Sequence, residues 1–210
     1  QVVPTRLTFV DIAGLVRGAS AGEGLGNQFL ANIREVDAVA HVLRCFEDDD
    51  VSHVAGDVDP VADAETVETE LMLADLESLE RRATPLRKKA QSGEKEAKAD
   101  VALIDRALEL LRAGKPARLL EVAPEEEKRF RMLNLLTAKP VLYVLNVDEA
   151  SAATGNALSE KAAAMAREKG AESVVISAAI EAEVAQLPDA TTREYLDALG
   201  LSGSGLDRLL

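Results

Sequence analysis

Three short runs carry side chains that could act together on a charged, heterocyclic ligand. The first is Thr8-Phe9-Val10-Asp11-Ile12-Ala13-Gly14, an apolar stretch that delivers an aspartate and, three residues later, a glycine. A carboxylate in that place can hold Mg²⁺ through water, and Gly14 lets a main-chain amide approach a phosphate without a Cβ in the way. The second run is Asn146-Val147-Asp148-Glu149, which follows the apolar stretch Val141–Leu145. The third is Ser177-Ala178, again directly after an apolar run.

For these residues to meet, the runs before them must be neighbouring strands that end at one edge. Four stretches read as buried strands: Arg6–Val10, Asp37–Cys45, Pro140–Asn146 and Ser173–Ser177. Helical patterns lie between them, including Asn27–Glu35, Ser159–Lys169 and a helix near Glu125–Leu136. That alternation predicts an α/β fold, a mostly parallel sheet with flanking helices. Ligands of such sheets bind at the carboxyl ends of the strands. The glycines of Gly22-Glu23-Gly24-Leu25-Gly26 have the wrong spacing for a dinucleotide fingerprint and no strand directly before them, so they read as a mobile loop.

The segment 67–130 has a different rhythm. Met72, Leu76, Leu79, Ala83, Leu86 and Ala90 form one heptad seam, and Ala97, Val101, Ile104, Leu108 and Leu111 form another, separated by Ser92-Gly93. Two seams across a short turn predict an inserted antiparallel helical hairpin, a coiled coil. Pro85 predicts a kink or break near Thr84, because an interior proline costs ~3 kcal/mol. The expected domains are 1–66 with 131–210 for nucleotide binding and 67–130 for the hairpin.

Net charge is −13, yet the charge is segregated. Residues 63–80 hold seven acids and no Lys or Arg, whereas 81–98 hold seven basic residues against two acids. The basic set is Arg81, Arg82, Arg87, Lys88, Lys89, Lys95 and Lys98, at the hairpin tip. A basic tip on an acidic body could touch RNA phosphates, and it could equally be a solvated helix surface. No apolar run is long enough to span a bilayer, and Gln1 opens into a strand-like segment rather than a signal peptide. The single cysteine, Cys45, cannot form an internal disulfide and fits a reducing compartment.

Asn146-Val147-Asp148-Glu149 resembles the Asn-Lys-x-Asp base-recognition motif of GTPases, with Val for Lys and Glu for the last Asp. Phe9–Ser20, Gly22–Asn27, Asn32-Ile33-Arg34-Glu35, Arg44–Asp49 and the Asn146 run together look like the YchF / Obg-like ATPase family. The resemblance runs through essentially the whole chain. It implies an Obg-type G domain of the P-loop class with a coiled-coil insertion, ATP hydrolysis with GTP sometimes accepted, Mg²⁺ as cofactor, ribosome association and a cytoplasmic location. It implies roles near the phosphates for Asp11 and Gly14, and a base site of Asn146, Val147, Glu149, Ser177 and Ala178. It also matches His53 to a histidine that positions or deprotonates the attacking water. That matters because Leu15 stands where many GTPases place a glutamine and can neither donate nor accept.

Two family features, the Gly-x-x-x-x-Gly-Lys-Ser/Thr loop and the TGS domain, would lie before Gln1 and after Leu210. The stretch alone is therefore expected to bind nucleotide poorly or not at all. The Glu149 carboxylate, one methylene longer than Asp, removes the bidentate advantage of guanine and predicts ATP over GTP. A guanine-preferring GTPase and a non-catalytic ribosome-binding or scaffold module are the alternatives.

Overall fold

The computed structural model describes residues 7–12, 25–48 and 58–209. The chain divides into two compact units, Gln1–Val36 with Thr69–Ala138, and Asp37–Glu68 with Lys139–Leu210.

The second unit is built on a parallel sheet of three strands in the order β1-β2-β3, with β1 Val39–Arg44, β2 Val141–Asn146 and β3 Glu172–Ile176. Arg44, Asn146 and Ile176 lie in register across it. All three chains therefore leave the sheet at one edge. Leu43, Cys45, Tyr143, Leu145 and Val147 form its core with Ala162, Met165 and Ala166 of α5 (Ala157–Glu168) and Ala64 of α2 (Pro60–Gln91). Small alanines on α5 let that helix lie close to the sheet. Beyond β3 come α6 (Ala178–Val184), α7 (Asp189–Ala198) and α8 (Gly205–Leu209).

The first unit contains α1 (Leu25–Glu35), most of α2, α3 (Lys95–Arg112) and α4 (Glu127–Leu133). The α2–α3 turn uses Gly93 at φ 99°, a conformation that favours glycine. Arg87 pairs with Asp105 at 2.6 Å and Glu80 with Arg112 at 2.7 Å. Seven residues back along α2 thus match seven forward along α3, as antiparallel helices require. Leu79, Ala83, Ile104, Leu108 and Leu111 are buried between them, as the heptad reading expects. Leu103 and Ala107 are buried too, so the apolar stripe on α3 is wider than a coiled-coil seam.

Two sequence expectations are corrected. Of the kink or break expected near Thr84, the break is absent: the helix is continuous through Thr84 and Pro85 to Gln91. Pro85 is exposed and cannot donate to the Arg81 carbonyl one turn back, and Thr84 Oγ1 donates to the Glu80 carbonyl at 3.2 Å. The stretch Leu7–Val10 is not a strand, and Leu7, Phe9 and Val10 are 60, 59 and 57% exposed. A strand exists only through pairing, and no described strand pairs with this stretch.

Candidate nucleotide-binding site

The carboxyl edge of the sheet is held by main-chain bonds between all three exits. The Cys45 amide donates to the Asn146 carbonyl at 2.7 Å, and the Val147 amide donates to the Ile176 carbonyl at 2.8 Å. Asn156 adds a brace: its Nδ2 donates to the Cys45 carbonyl at 2.7 Å while its Oδ1 caps α5 by accepting from the Ser159 amide at 2.9 Å. Gly155 precedes it at φ 74°, and a Cβ there would stand 2.7 Å from Ser159 Oγ. One polar residue thus ties the loop after β1 to the helix after β2.

Asn146 turns its side chain across to the next loop, where Oδ1 accepts from the Ala178 amide at 2.9 Å. Beside it, Ser177 is 2% exposed, and its hydroxyl has no hydrogen-bond partner among the described residues. A buried hydroxyl without a partner is costly unless a ligand or water completes it. Val147 is buried in the sheet core. Asp148 caps its own turn: Oδ1 accepts from the Ser151 amide at 2.9 Å and Oδ2 from Ser151 Oγ at 3.0 Å. Glu149 opens the short 3-10 turn Glu149–Ser151 and is exposed. Of the two acids, Glu149 is the one whose carboxylate is not already capping its own turn.

Asn146, Val147, Glu149, Ser177 and Ala178 therefore gather at one edge. Asp11 belongs to the first unit and is exposed on the segment 7–12. Gly14, Leu15 and His53 lie outside the described residues. No group of three or more His, Cys, Asp or Glu side chains suited to a metal ion occurs among the described residues.

Two residues at this edge have structural roles that were not expected, although Arg44 opens the run Arg44–Asp49 that carries the family resemblance. Arg44 stacks 4.9 Å above the Phe46 ring and donates to the Phe46 carbonyl at 3.0 Å and the Asp48 carbonyl at 3.2 Å, curling the loop after β1. An Arg and a Phe two apart at a strand end was the available signal. Asn156 was the other, visible only as a cap before an alanine-rich helix. Cys45 is no nucleophile, since burial pushes its thiol up to about 11. His41 is held below its ordinary value, chiefly by burial, and lies against the Tyr143 ring with centroids 5.8 Å apart.

Among the relatives of this chain, a family model described as a 50S ribosome-binding GTPase matches residues 2–75. A protein from Haemophilus ducreyi named ribosome-binding ATPase YchF is 47% identical over 210 residues, all of this chain and 58% of its own length. Proteins of the same name from Bacillus subtilis and Escherichia coli O157:H7 are 45% and 44% identical, again over 58% of their length. The solved structure of a Schizosaccharomyces pombe YchF GTPase superposes with a TM-score of 0.80 at 33% identity, over 94% of this chain and 54% of that one. The chain spans a little over half the length of the relatives it matches. No helix among the described residues is long and apolar enough to cross a membrane.

Proposed function

Because the chain belongs to the YchF family, we propose that it supplies the base-binding edge and the hairpin of a ribosome-associated nucleoside triphosphate hydrolase that prefers ATP. The observation that carries this reading is the bond from the Ala178 amide to Asn146 Oδ1 beside the unpartnered Ser177 hydroxyl. It joins two loops at adjacent strand ends into one preformed edge, and preformed polar groups favour a ligand by lowering its ordering cost.

In this reading a base lies against Asn146 and Val147, with Ser177 Oγ and the Ala178 main chain at its side. Asp148, committed to Ser151, is withheld from the base. Glu149 is the remaining acid, and its longer arm does not reproduce the paired acceptance that guanine's N1–H and 2-amino group require. Adenine has no such donor pair. Asp11 would hold Mg²⁺ through water, and that ion would supply charge neutralisation on the phosphates. Gly14 would bring an amide to the terminal phosphate, and His53 would orient or deprotonate the attacking water in place of the group Leu15 cannot provide.

The domain division proposed is 1–66 with 131–210 for nucleotide binding and 67–130 for the hairpin. Of the seven basic residues at the hairpin tip, two have structural work: Arg82 donates to the Leu133 carbonyl at 2.7 Å, and Arg87 pairs with Asp105. Arg81, Lys88, Lys89, Lys95 and Lys98 are exposed and are the proposed contacts to ribosomal RNA phosphates. The names of the relatives support a ribosome partner and a cytoplasmic setting. Two of the matched descriptions say GTPase, which keeps guanine preference as the second reading. Calorimetric titration of ATP and GTP into the full-length protein separates them: ATP should bind more tightly, and GTP binding tenfold tighter would overturn the adenine reading.

A further inference from the structure

Both base-reading turns rest on a single small apolar core. Ala152, three residues beyond Glu149, and Ile180, two beyond Ala178, are buried with Leu196 and Leu201, and Val184 and Tyr195 pack against the group. Val147 anchors the first turn to the sheet as well, whereas this second cluster is common to both turns. Leu196 lies on α7, and the Leu201 amide donates back to the Leu196 carbonyl at 2.9 Å after Gly200 at φ 74°, folding Leu201 under the same cluster. Tyr195, the neighbour of Leu196, donates its hydroxyl to Glu183 Oε2 on α6. The Gly205 amide donates to Glu181 Oε1 at 2.6 Å, so α8 fastens the same helix a second time. The segment 189–209 thus packs against the residues that follow both turns.

Resting on the base-site reading above, we propose that α7 is a positioning element for base selection, with Leu196 and Tyr195 setting the spacing between the Glu149 turn and the Ser177-Ala178 turn. The Tyr195 hydroxyl is held above its ordinary value first by its bond to Glu183, then by burial and by the charges of Glu183 and Glu149. A packed core has discrete arrangements and does not deform smoothly, so a change behind the turns alters how far apart they stand. Adenine and guanine differ in the donors and acceptors they present along one edge. A shift in spacing therefore changes their relative affinity and not merely their common affinity.

The test is the ratio of ATP to GTP dissociation constants in the full-length protein, with kcat at saturating ATP. Leu196→Ala is expected to weaken ATP binding about tenfold, to narrow the ATP-over-GTP ratio at least threefold and to leave kcat within about twofold. Leu196→Met, which refills the space, should restore the ratio. Tyr195→Phe keeps the ring in the core, loses the Glu183 bond and should narrow the ratio as well; it carries the test if Leu196→Ala does not fold. A lowered melting temperature with an unchanged ratio in the folded variants would overturn the proposal. Asn146→Ala is the control for the underlying reading. If it abolishes nucleotide binding while the α7 variants keep the native ratio, this inference fails alone; if it leaves binding intact, the base site and the role of α7 fall together.

Discussion

Replacing Asp75 should damage the hairpin unit more than any single surface charge. Asp75 is 0% exposed, and its carboxylate accepts three bonds of 2.8 Å, from the Leu136 amide, the Thr137 amide and Thr137 Oγ1. Thr137 Oγ1 in turn accepts from the Ala117 amide at 3.0 Å, so one carboxylate organises the chain that returns from the hairpin. Leu136 and Thr137 are each 2% exposed. Asp75→Ala strands two buried amides, each worth about 1–3 kcal/mol, while relieving the cost of burying a carboxylate. The net loss is about 2–4 kcal/mol, or roughly 5–15 °C in melting temperature for a chain of this size. Asp75→Asn keeps the shape but sets its carboxamide NH2, a donor, against a backbone N–H, and should lose about 1–3 kcal/mol. Circular dichroism melts at 222 nm report the effect, because α2 and α3 dominate that signal. Burial raises the Asp75 pKa above 3.8, outweighing the three donors and the charge of Arg34. The native state then holds its proton more tightly than the unfolded chain, and its contribution falls as pH rises from 3.8 through the raised native value. The difference between the native protein and Asp75→Asn should shrink over that window. A melting temperature for Asp75→Ala within about 1 °C of native would refute the reasoning.

Three further outcomes are expected. Gly155→Ala should cost about 1–2 kcal/mol, since it combines a left-handed φ of 74° with a Cβ 2.7 Å from Ser159 Oγ, and it should loosen the Asn156 brace on Cys45; a thermal melt measures it. His53→Ala in the full-length protein should lower turnover, on the order of a hundredfold for a lost general base, with nucleotide affinity little changed; steady-state phosphate release checks this, and unchanged turnover removes His53 from the chemistry. Reversing Lys88 and Lys89 to Glu should abolish ribosome co-sedimentation at moderate salt, and the native interaction should weaken steeply as salt rises.

The strands that became β1 to β3 were legible because each is a short apolar run ending in a polar residue, and the observed ends differ by two residues or fewer. The hairpin was legible from its heptad steps, and Leu79, Ala83, Ile104, Leu108 and Leu111 are indeed buried. Leu103 and Ala107 were not, because a seam of period 3.5 is narrower than the face a helix buries against several neighbours at once. Asp75 sits in an acidic run that reads as a solvated face; its donors lie sixty residues away, and no local pattern announces them. Pro85 shows the converse, a strong local breaker overridden by tertiary packing of Ala83 and Leu86 on either side. That Asn146, Glu149, Ser177 and Ala178 stand at adjacent strand ends followed from strand context, whereas the capture of Asp148 by Ser151 depends on the turn that follows. The Leu7–Val10 run has strand composition, and composition does not provide a partner.

The central claim is that a base sits on the carboxyl edge of β2 and β3, between the Asn146–Glu149 and Ser177-Ala178 turns. Photolabelling of the full-length protein with 8-azido-ATP, followed by peptide mapping, tests it directly. Label should fall on the peptides carrying 146–149 and 177–178 and should disappear with excess ATP. Competed label confined to peptides elsewhere, such as those of α3 and α4, would contradict it.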